Sequence, residues 1–303
     1  MLKLPPAGGN SSEVVHVNDR GHAIVEGRPD YGSFYLFWSS ETGYRYMAYK
    51  EKSIGAFNLN NRDEVVGVTE RGLGVIWSPD RVKTFSAPDG YHDLLPRFID
   101  DDGQVFGSLA EDGSGIRHGF HLSSDGVVIV DRPGKSVCPV AIGPKGVAVI
   151  QPMAAPSYTC WCSEPHSDYL VRGAERQRIR VPGKEKEVCI HDVDLAGDVL
   201  VTLGEYDDKP GLWSPDKGYQ PIGLYVGNGN LAGVADGGVV AGNGTLDGVW
   251  QAFLWDRKSG AHAVTAFLHD KEQLDGLRID SISPHGVLGG GFDRKPVILL
   301  PSH

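Results

Sequence analysis

The sequence lacks any long hydrophobic run. Of its 303 residues, 40% are hydrophobic, yet no stretch approaches the roughly eighteen consecutive apolar residues that a membrane span requires. The N-terminal segment Met1–Pro6 also lacks the apolar core of a signal peptide. These absences predict a protein that does not associate with a membrane and resides in the cytoplasm.

Cysteine and positive charge are also scarce. The four cysteines, at positions 138, 160, 162 and 189, are too few and too clustered for a disulfide framework, so reduced thiols are expected. There are 29 Lys and Arg residues against 39 Asp and Glu residues, a net charge of −10. Because a nucleic-acid partner requires a basic surface that displaces counterions, we expect none.

Familiar catalytic motifs are missing. The chain contains no Gly-rich phosphate loop, no Ser nucleophile elbow and no His-Glu-x-x-His helix. No motif therefore requires a cofactor, although a divalent metal is compatible with the composition. A zinc site from Cys138, Cys189 and a histidine would match no known zinc-finger spacing. Since cysteine is often buried, we predict small core residues there and assign no metal ligands.

Glycine, by contrast, is abundant, with 41 residues, and its clusters belong to a repeat. Each copy is an apolar anchor followed by a turn that is mostly Asn, Asp and Gly. The anchors are spaced 42, 40, 43, 51, 41 and 48 residues apart and are Val17, Leu59, Ile99, Ile142, Val193, Val234 and Ile282. Because Asn, Asp and Gly tolerate positive φ, each copy predicts a hairpin between two strands.

Tryptophan marks a third strand in the same repeat. Five of the six tryptophans, at positions 38, 77, 161, 213 and 255, occupy this one position, where a large flat side chain suits packing between neighbouring sheets. A fourth strand often ends at proline. Seven such units predict an all-β, seven-bladed β-propeller forming a single domain over residues 1–303, with six blades as the alternative. We expect a monomer.

The two ends of the chain complement each other. The seventh unit stops after Leu300 without a fourth strand, whereas Leu2–Pro5 has the missing pattern. We therefore predict that the N-terminal strand completes the last blade, which would close the ring and remove its open edges. The 51-residue spacing indicates an insertion, and the 163–177 stretch is predicted to be a long outer hairpin.

The repeat resembles that of the HAF family, named for a His-Ala-Phe stretch before the Trp position. The resemblance is carried by Gln251-Ala252-Phe253-Leu254-Trp255, His118-Gly119-Phe120 and the Asn-Asp-x-Gly turn at 18–21. It extends over nearly the whole chain and implies the propeller fold. HAF proteins are often exported, whereas no leader is recognised here, and the family implies no single activity.

A ligand site is expected around the central channel, on the face formed by the loops that enter each first strand and join the second strand to the third. This loop face is concave in propellers. Histidine beside a carboxylate can act as a base, and arginine can clamp an anion. Our candidate catalytic residues are His92, Arg97, His191 and Asp280, and our candidate ligand-binding residues are His16, Asn58, Asp93, Asp192, Trp250 and Arg278.

Two functions remain open. The first is a recognition propeller that binds a protein partner or a small ligand on the loop face, favoured by the scattered polar set. The alternative is a small-molecule lyase, cyclase or hydrolase at the channel mouth, which in architecture resembles the streptogramin lyases. The structural alternative for the polar residues is that they form hydrogen bonds between blades.

Overall fold

Seven antiparallel four-stranded sheets follow one another along the chain in the computed structural model. This arrangement confirms the all-β, seven-bladed prediction. The structure describes residues 1–30, 32–114, 116–129, 136–142, 147–153, 162–163, 168–172, 175–181, 188–203, 209–226, 231–268, 274 and 276–301. In these ranges the strands are short, and no helix is long and apolar enough to cross a membrane.

The strands of each blade are given from the channel outward. Blade 1 comprises Ser11–Val17, Ala23–Arg28, Phe34–Ser39 and Gly43–Tyr46; blade 2, Gly55–Leu59, Val65–Val68, Gly74–Ser78 and Arg81–Phe85; blade 3, Tyr91–Ile99, Val105–Glu111, Arg117–Ser123 and Gly126–Ile129; blade 4, Ser136–Ile142, Ala148–Met153, Tyr169–Arg172 and Glu175–Arg178. Blade 5 comprises Val188–Val193, Val199–Leu203, Lys209–Ser214 and Gly218–Pro221; blade 6, Leu231–Ala235, Val239–Leu246, Val249–Asp256 and Gly260–Ala263; blade 7, Arg278–Ile282, Leu288–Phe292, Lys295–Leu299 and Leu2–Lys3.

Three small elements supplement the blades. Ala48–Tyr49 pairs with Lys52–Ser53 between blades 1 and 2, and a 3₁₀ turn spans Val264–Phe267. Cys162–Ser163 adds a fifth strand to blade 5, on the channel side of its first strand.

Blade 4 differs from the prediction. Its third strand is Tyr169–Arg172, with Leu170 only 2% exposed, and its fourth is Glu175–Arg178. The predicted outer hairpin at 163–177 is therefore wrong, because these residues supply two regular blade strands. Trp161, assigned to the third strand by its repeat position, lies outside the described residues.

The core lies between neighbouring blades. Trp38 and Trp77, on the third strands of blades 1 and 2, are buried in apolar clusters that each combine two adjacent blades. Trp213 and Trp255 are buried in the same way on blades 5 and 6. The predicted role of these four tryptophans in sheet-to-sheet packing is confirmed.

The N-terminal strand closes the ring as predicted. Leu2 pairs with Ile298 and Lys3 with Val297 in the outer position of blade 7. The Leu4 backbone N–H continues the ladder by donating to Pro296 at 2.9 Å, and the Leu4 side chain, 2% exposed, packs in the cluster between blades 7 and 1. The last blade thus holds both chain ends.

Every innermost strand has a β-bulge two residues before its anchor. The residues left out of register are Val15, Phe57, Arg97, Val140, His191, Ala232 and Asp280. A bulge bends the strand and re-aims the extra side chain. The seven bulges therefore define one ring of residues around the channel.

We predict that Leu4→Ala lowers the free energy of unfolding by about 2–4 kcal/mol, because it empties a buried site at the closure. Leu2→Ala is the matched control, since Leu2 lies on the same strand but is 40% exposed. Urea unfolding measures both variants. Equal losses would contradict a stabilising role for closure through Leu4.

Candidate functional site

The central channel contains a cavity of about 230 Å³ between the innermost strands. Its lining includes five of the ten predicted site residues, namely His16, Asn58, His191, Asp192 and Asp280. They come from blades 1, 2, 5 and 7. The structure thus gathers half of the predicted set in one place.

The other five predicted residues lie outside this cavity. His92 and Asp93 lie at the exposed start of the first strand of blade 3, where His92 Nδ1 contacts Asp112 at 2.7 Å. Arg97 lies 5.7 Å from the ring centre of Phe57, a cation–π contact between neighbouring bulge positions.

On the later blades, Arg278 is half-exposed and donates to Asp280 Oδ1 at 3.0 Å. Trp250 is 49% exposed on the second-to-third-strand hairpin of blade 6. Neither residue lines the cavity.

The cavity extends towards the opposite face from the one we predicted. Its lining continues into the turns between first and second strands, here called the turn face, through Asn18, Asn60, Asn61, Asp100, Asp101, Asp194, Asp236 and Pro284. Sequence reasoning treated these residues only as turn formers. The signal available was the concentration of Asn and Asp residues in this one turn of the repeat.

Asn58 and Asp192 form hydrogen bonds between blades, as the structural alternative predicted. The Ile99 backbone N–H of blade 3 donates to Asn58 Oδ1 at 3.2 Å, and the Val234 N–H of blade 6 donates to Asp192 Oδ2 at 2.9 Å. A Cβ on Gly233 would lie 2.6 Å from that Asp192 oxygen, so glycine is needed there. These two residues therefore hold blades together as well as lining the cavity.

Burial controls the charges of the cavity. It raises the pKa of Asp192 to about 7 and lowers the pKa of His16 to about 4. His16 is consequently neutral at neutral pH. Burial also raises the pKa of Asp280, against the opposing effect of Arg278.

His191 and Asp280 occupy bulge positions on blades 5 and 7. His191 Nε2 lies 2.9 Å from Thr202 Oγ1. Asp280 Oδ2 is buried and has no hydrogen-bond partner among the described residues. Asp280 therefore presents one oxygen to Arg278 and leaves the other unpaired.

The turn residues link successive blades through amide side chains. Asn18 Nδ2 donates to the Asn60 carbonyl at 3.0 Å, and Asn60 Nδ2 donates to the Asp100 carbonyl at 2.8 Å. Blade 5 has Asp194 at this position, and an ionised carboxylate cannot donate. Asp194 is 1% exposed, its Oδ1 accepts the Asp198 N–H, and its Oδ2 has no partner in the described structure.

The cysteine and metal predictions have different outcomes. Cys189 is disulfide-bonded, so the prediction of reduced thiols is wrong for this residue, and it is not a thiolate ligand for zinc. The side chain of Cys138 lies outside the described structure. Among the described side chains, no three His, Cys, Asp or Glu residues are grouped so as to hold a metal ion.

Comparisons with known proteins identify the fold. No protein-family model matches the chain, and no curated protein matches it in sequence. Virginiamycin B lyase from Staphylococcus aureus is similar in structure, with a TM-score of 0.59 and 11% identity over 98% of this chain and 96% of the lyase. An oligogalacturonate lyase in complex with manganese is also similar, with a TM-score of 0.58 and 10% identity over 98% of this chain and 94% of that lyase.

A propeller bound to a peptide is also similar in structure. YCF48 bound to a D1 peptide gives a TM-score of 0.56 and 10% identity, over 99% of this chain and 94% of YCF48. At such identities the likeness shows the β-propeller fold alone. Membership of the HAF family stays a prediction.

We predict that Asp194→Asn stabilises the protein at pH 8 and has little effect at pH 4. Burial raises the pKa of Asp194 in the folded state to about 6, above its unfolded value, so folding loses stability as the pH rises between the two values. The carboxylates of Asp198 and Asp236 add to this rise. Asparagine removes the charge, and we expect a gain of about 3 kcal/mol at pH 8.

Chemical unfolding of both proteins from pH 4 to pH 8 measures this difference. Asn60→Asp is the matched reverse variant and should introduce a loss of stability that grows with pH. A difference between Asp194→Asn and the unsubstituted protein that is constant across this range would contradict the explanation.

Proposed function

We propose that this protein is a recognition propeller that binds a small ligand in its central channel. The observation that carries the proposal is the convergence of five predicted site residues from four blades on one cavity. Candidates chosen from the sequence as chemically active thereby share a concave site on a rigid scaffold, the usual setting of a ligand site.

The dimensions and walls of the cavity suit a small molecule. Its volume of about 230 Å³ corresponds to about eight waters at about 30 Å³ each. The walls are innermost strands that hydrogen bonds such as Val234 N–H to Asp192 hold in place. The site is therefore preformed, which lowers the entropic cost of binding.

Catalysis at the same cavity is the alternative proposal. His191 and Asp280, two of the four predicted catalytic residues, line it, whereas His92 and Arg97 lie outside. A lyase, cyclase or hydrolase would therefore have to use His191 and Asp280 without the predicted arginine clamp. The similarity to two lyases supports the architecture and not the chemistry.

A protein partner is a separate proposal, favoured by an exposed strip on blade 6. Tyr225 is 58% exposed, Val249 58% and Trp250 49%. Tyr225 forms a bridge with Thr245, which itself pairs with Trp250, so the two aromatic residues flank one threonine. Exposed aromatic clusters on soluble proteins often mark interaction surfaces.

Location, oligomeric state and exclusion of nucleic acid remain predictions. The disulfide at Cys189 favours an oxidising compartment over the cytoplasm, because such bonds are rare where thiols are kept reduced.

We predict that Ala232→Phe abolishes small-ligand binding without unfolding the protein. Ala232 lines the cavity at the bulge position that holds Phe57 in blade 2, so the backbone there accepts phenylalanine while its ring fills the channel. Ligand-observed NMR with a library of charged and neutral fragments measures binding. Turnover of a bound fragment in the same samples would favour the enzyme alternative.

Ala232→Val is the matched control, because valine occupies the equivalent position at Val15. Ala232→Val should still bind the fragments that Ala232→Phe no longer binds. Fragments that bind all three proteins equally lie outside the channel, and a library with only such fragments would contradict channel recognition.

Peptides that bind the protein can be selected from a displayed random library. We predict that Trp250→Ala lowers the affinity of such peptides about tenfold or more, as the loss of a hot-spot aromatic residue does. Tyr46→Ala is the control, since Tyr46 is an equally exposed aromatic residue, at 52%, on blade 1. Competitive binding assays measure both. Peptides insensitive to Trp250→Ala would contradict docking on this strip.

A further inference from the structure

We propose that the channel ligand is a small organic cation, with an amine or guanidinium group attached to an apolar body. This inference rests on the proposed small-ligand function and names its ligand class. It is carried by the charge of the cavity, by two incompletely paired carboxylates in its lining and by the distribution of its charged and uncharged side chains.

The described lining is acidic. It contains six aspartates and neither lysine nor arginine, the aspartates being Asp100, Asp101, Asp192, Asp194, Asp236 and Asp280. Arg97, the cation in the ring of bulges, lies outside the lining and stacks on Phe57. Such a cavity attracts positive charge and repels anions.

Two of these carboxylates have an oxygen without a donor in the described structure. Asp194 Oδ2 belongs to a side chain that is almost fully buried, and Asp280 Oδ2 is buried although Arg278 binds the other oxygen. A buried carboxylate oxygen without a hydrogen bond is costly. Both oxygens lie beneath the cavity surface, and a cation bound in the adjacent cavity would offset the charge of the two carboxylates.

The polar and apolar groups are distributed unevenly. At the two positions before each anchor, the acidic residues of the described lining lie on blades 5 and 7, as Asp192 and Asp280. Blade 6, between them, contributes only Ala232 and so leaves room. At the same positions blades 1 to 3 contribute uncharged groups, namely Val15, neutral His16, Asn58 and Phe98.

This asymmetry suits a ligand that is charged at one end. Its cationic group would lie against Asp280 and Asp192, and its apolar body against Val15 and Phe98. An inorganic cation binds through oxygen ligands alone and would leave the apolar Val15 and Phe98 unused.

Three probes of the same shape test the charge: benzylamine, benzyl alcohol and benzoate, titrated calorimetrically at pH 8. We expect benzylamine to bind more tightly than the other two. Asp280→Asn should lower the affinity for benzylamine about tenfold or more, because the buried carboxylate loses its charge. Ala232→Phe should abolish binding.

Asp102→Asn is the matched control. It removes the same charge from an exposed turn residue outside the lining, so benzylamine should bind it as it binds the unsubstituted protein. An equal loss in this control would show long-range attraction in place of contact, and would overturn the site.

The remaining outcomes separate the two proposals. Benzyl alcohol or benzoate binding better than benzylamine, with loss in Ala232→Phe, would overturn the cation class and leave small-ligand recognition intact. If none of benzylamine, propylamine and methylguanidinium binds, the proposal that the ligand is a cation is also overturned. Only failure of the whole fragment library in the channel would remove the proposed function.

Discussion

Hydrogen bonds between the turns of successive blades are the constraint on which the structure depends. The Asp19 N–H donates to Asn61 Oδ1 at 2.8 Å, and the Asn61 N–H donates to Asp101 Oδ1 at 2.8 Å. Across the closure, the His285 N–H of blade 7 donates to Asp19 Oδ1 at 2.8 Å. In the described residues these bonds join blades 7, 1, 2 and 3 in succession, so they restrain the rotation between these blades and with it the width of the channel.

The chemical character of the channel follows from the same construction. A bulge recurs at one repeat position in all seven innermost strands, and four of these bulge residues, Val15, His191, Ala232 and Asp280, line the cavity. Polar residues near the axis also have structural roles, however. Asp192 lines the cavity and also accepts the Val234 N–H, so binding and blade docking share one carboxylate.

The fold was predictable because it repeats. Seven anchors followed by turn residues, and tryptophans at one strand position, report local and nearest-neighbour packing that recurs in every blade. Blade 4 shows where this reasoning failed: Trp161 satisfied the pattern, but the structure uses Tyr169–Arg172 as the third strand. The repeat position of a tryptophan does not show which segment pairs with the second strand, and in blade 4 that partner is Tyr169–Arg172.

The sequence by itself predicted seven blades, the closure through Leu2 and Lys3, and five of the residues that line the channel, because these depend on periodicity and strand pairing. Only the tertiary structure decided which of those residues meet. It brought His16 and Asp280 to one cavity, left His92 on the rim and directed the cavity to the turn face. Distances across a ring depend on blade rotation and bulge geometry, which no local pattern records.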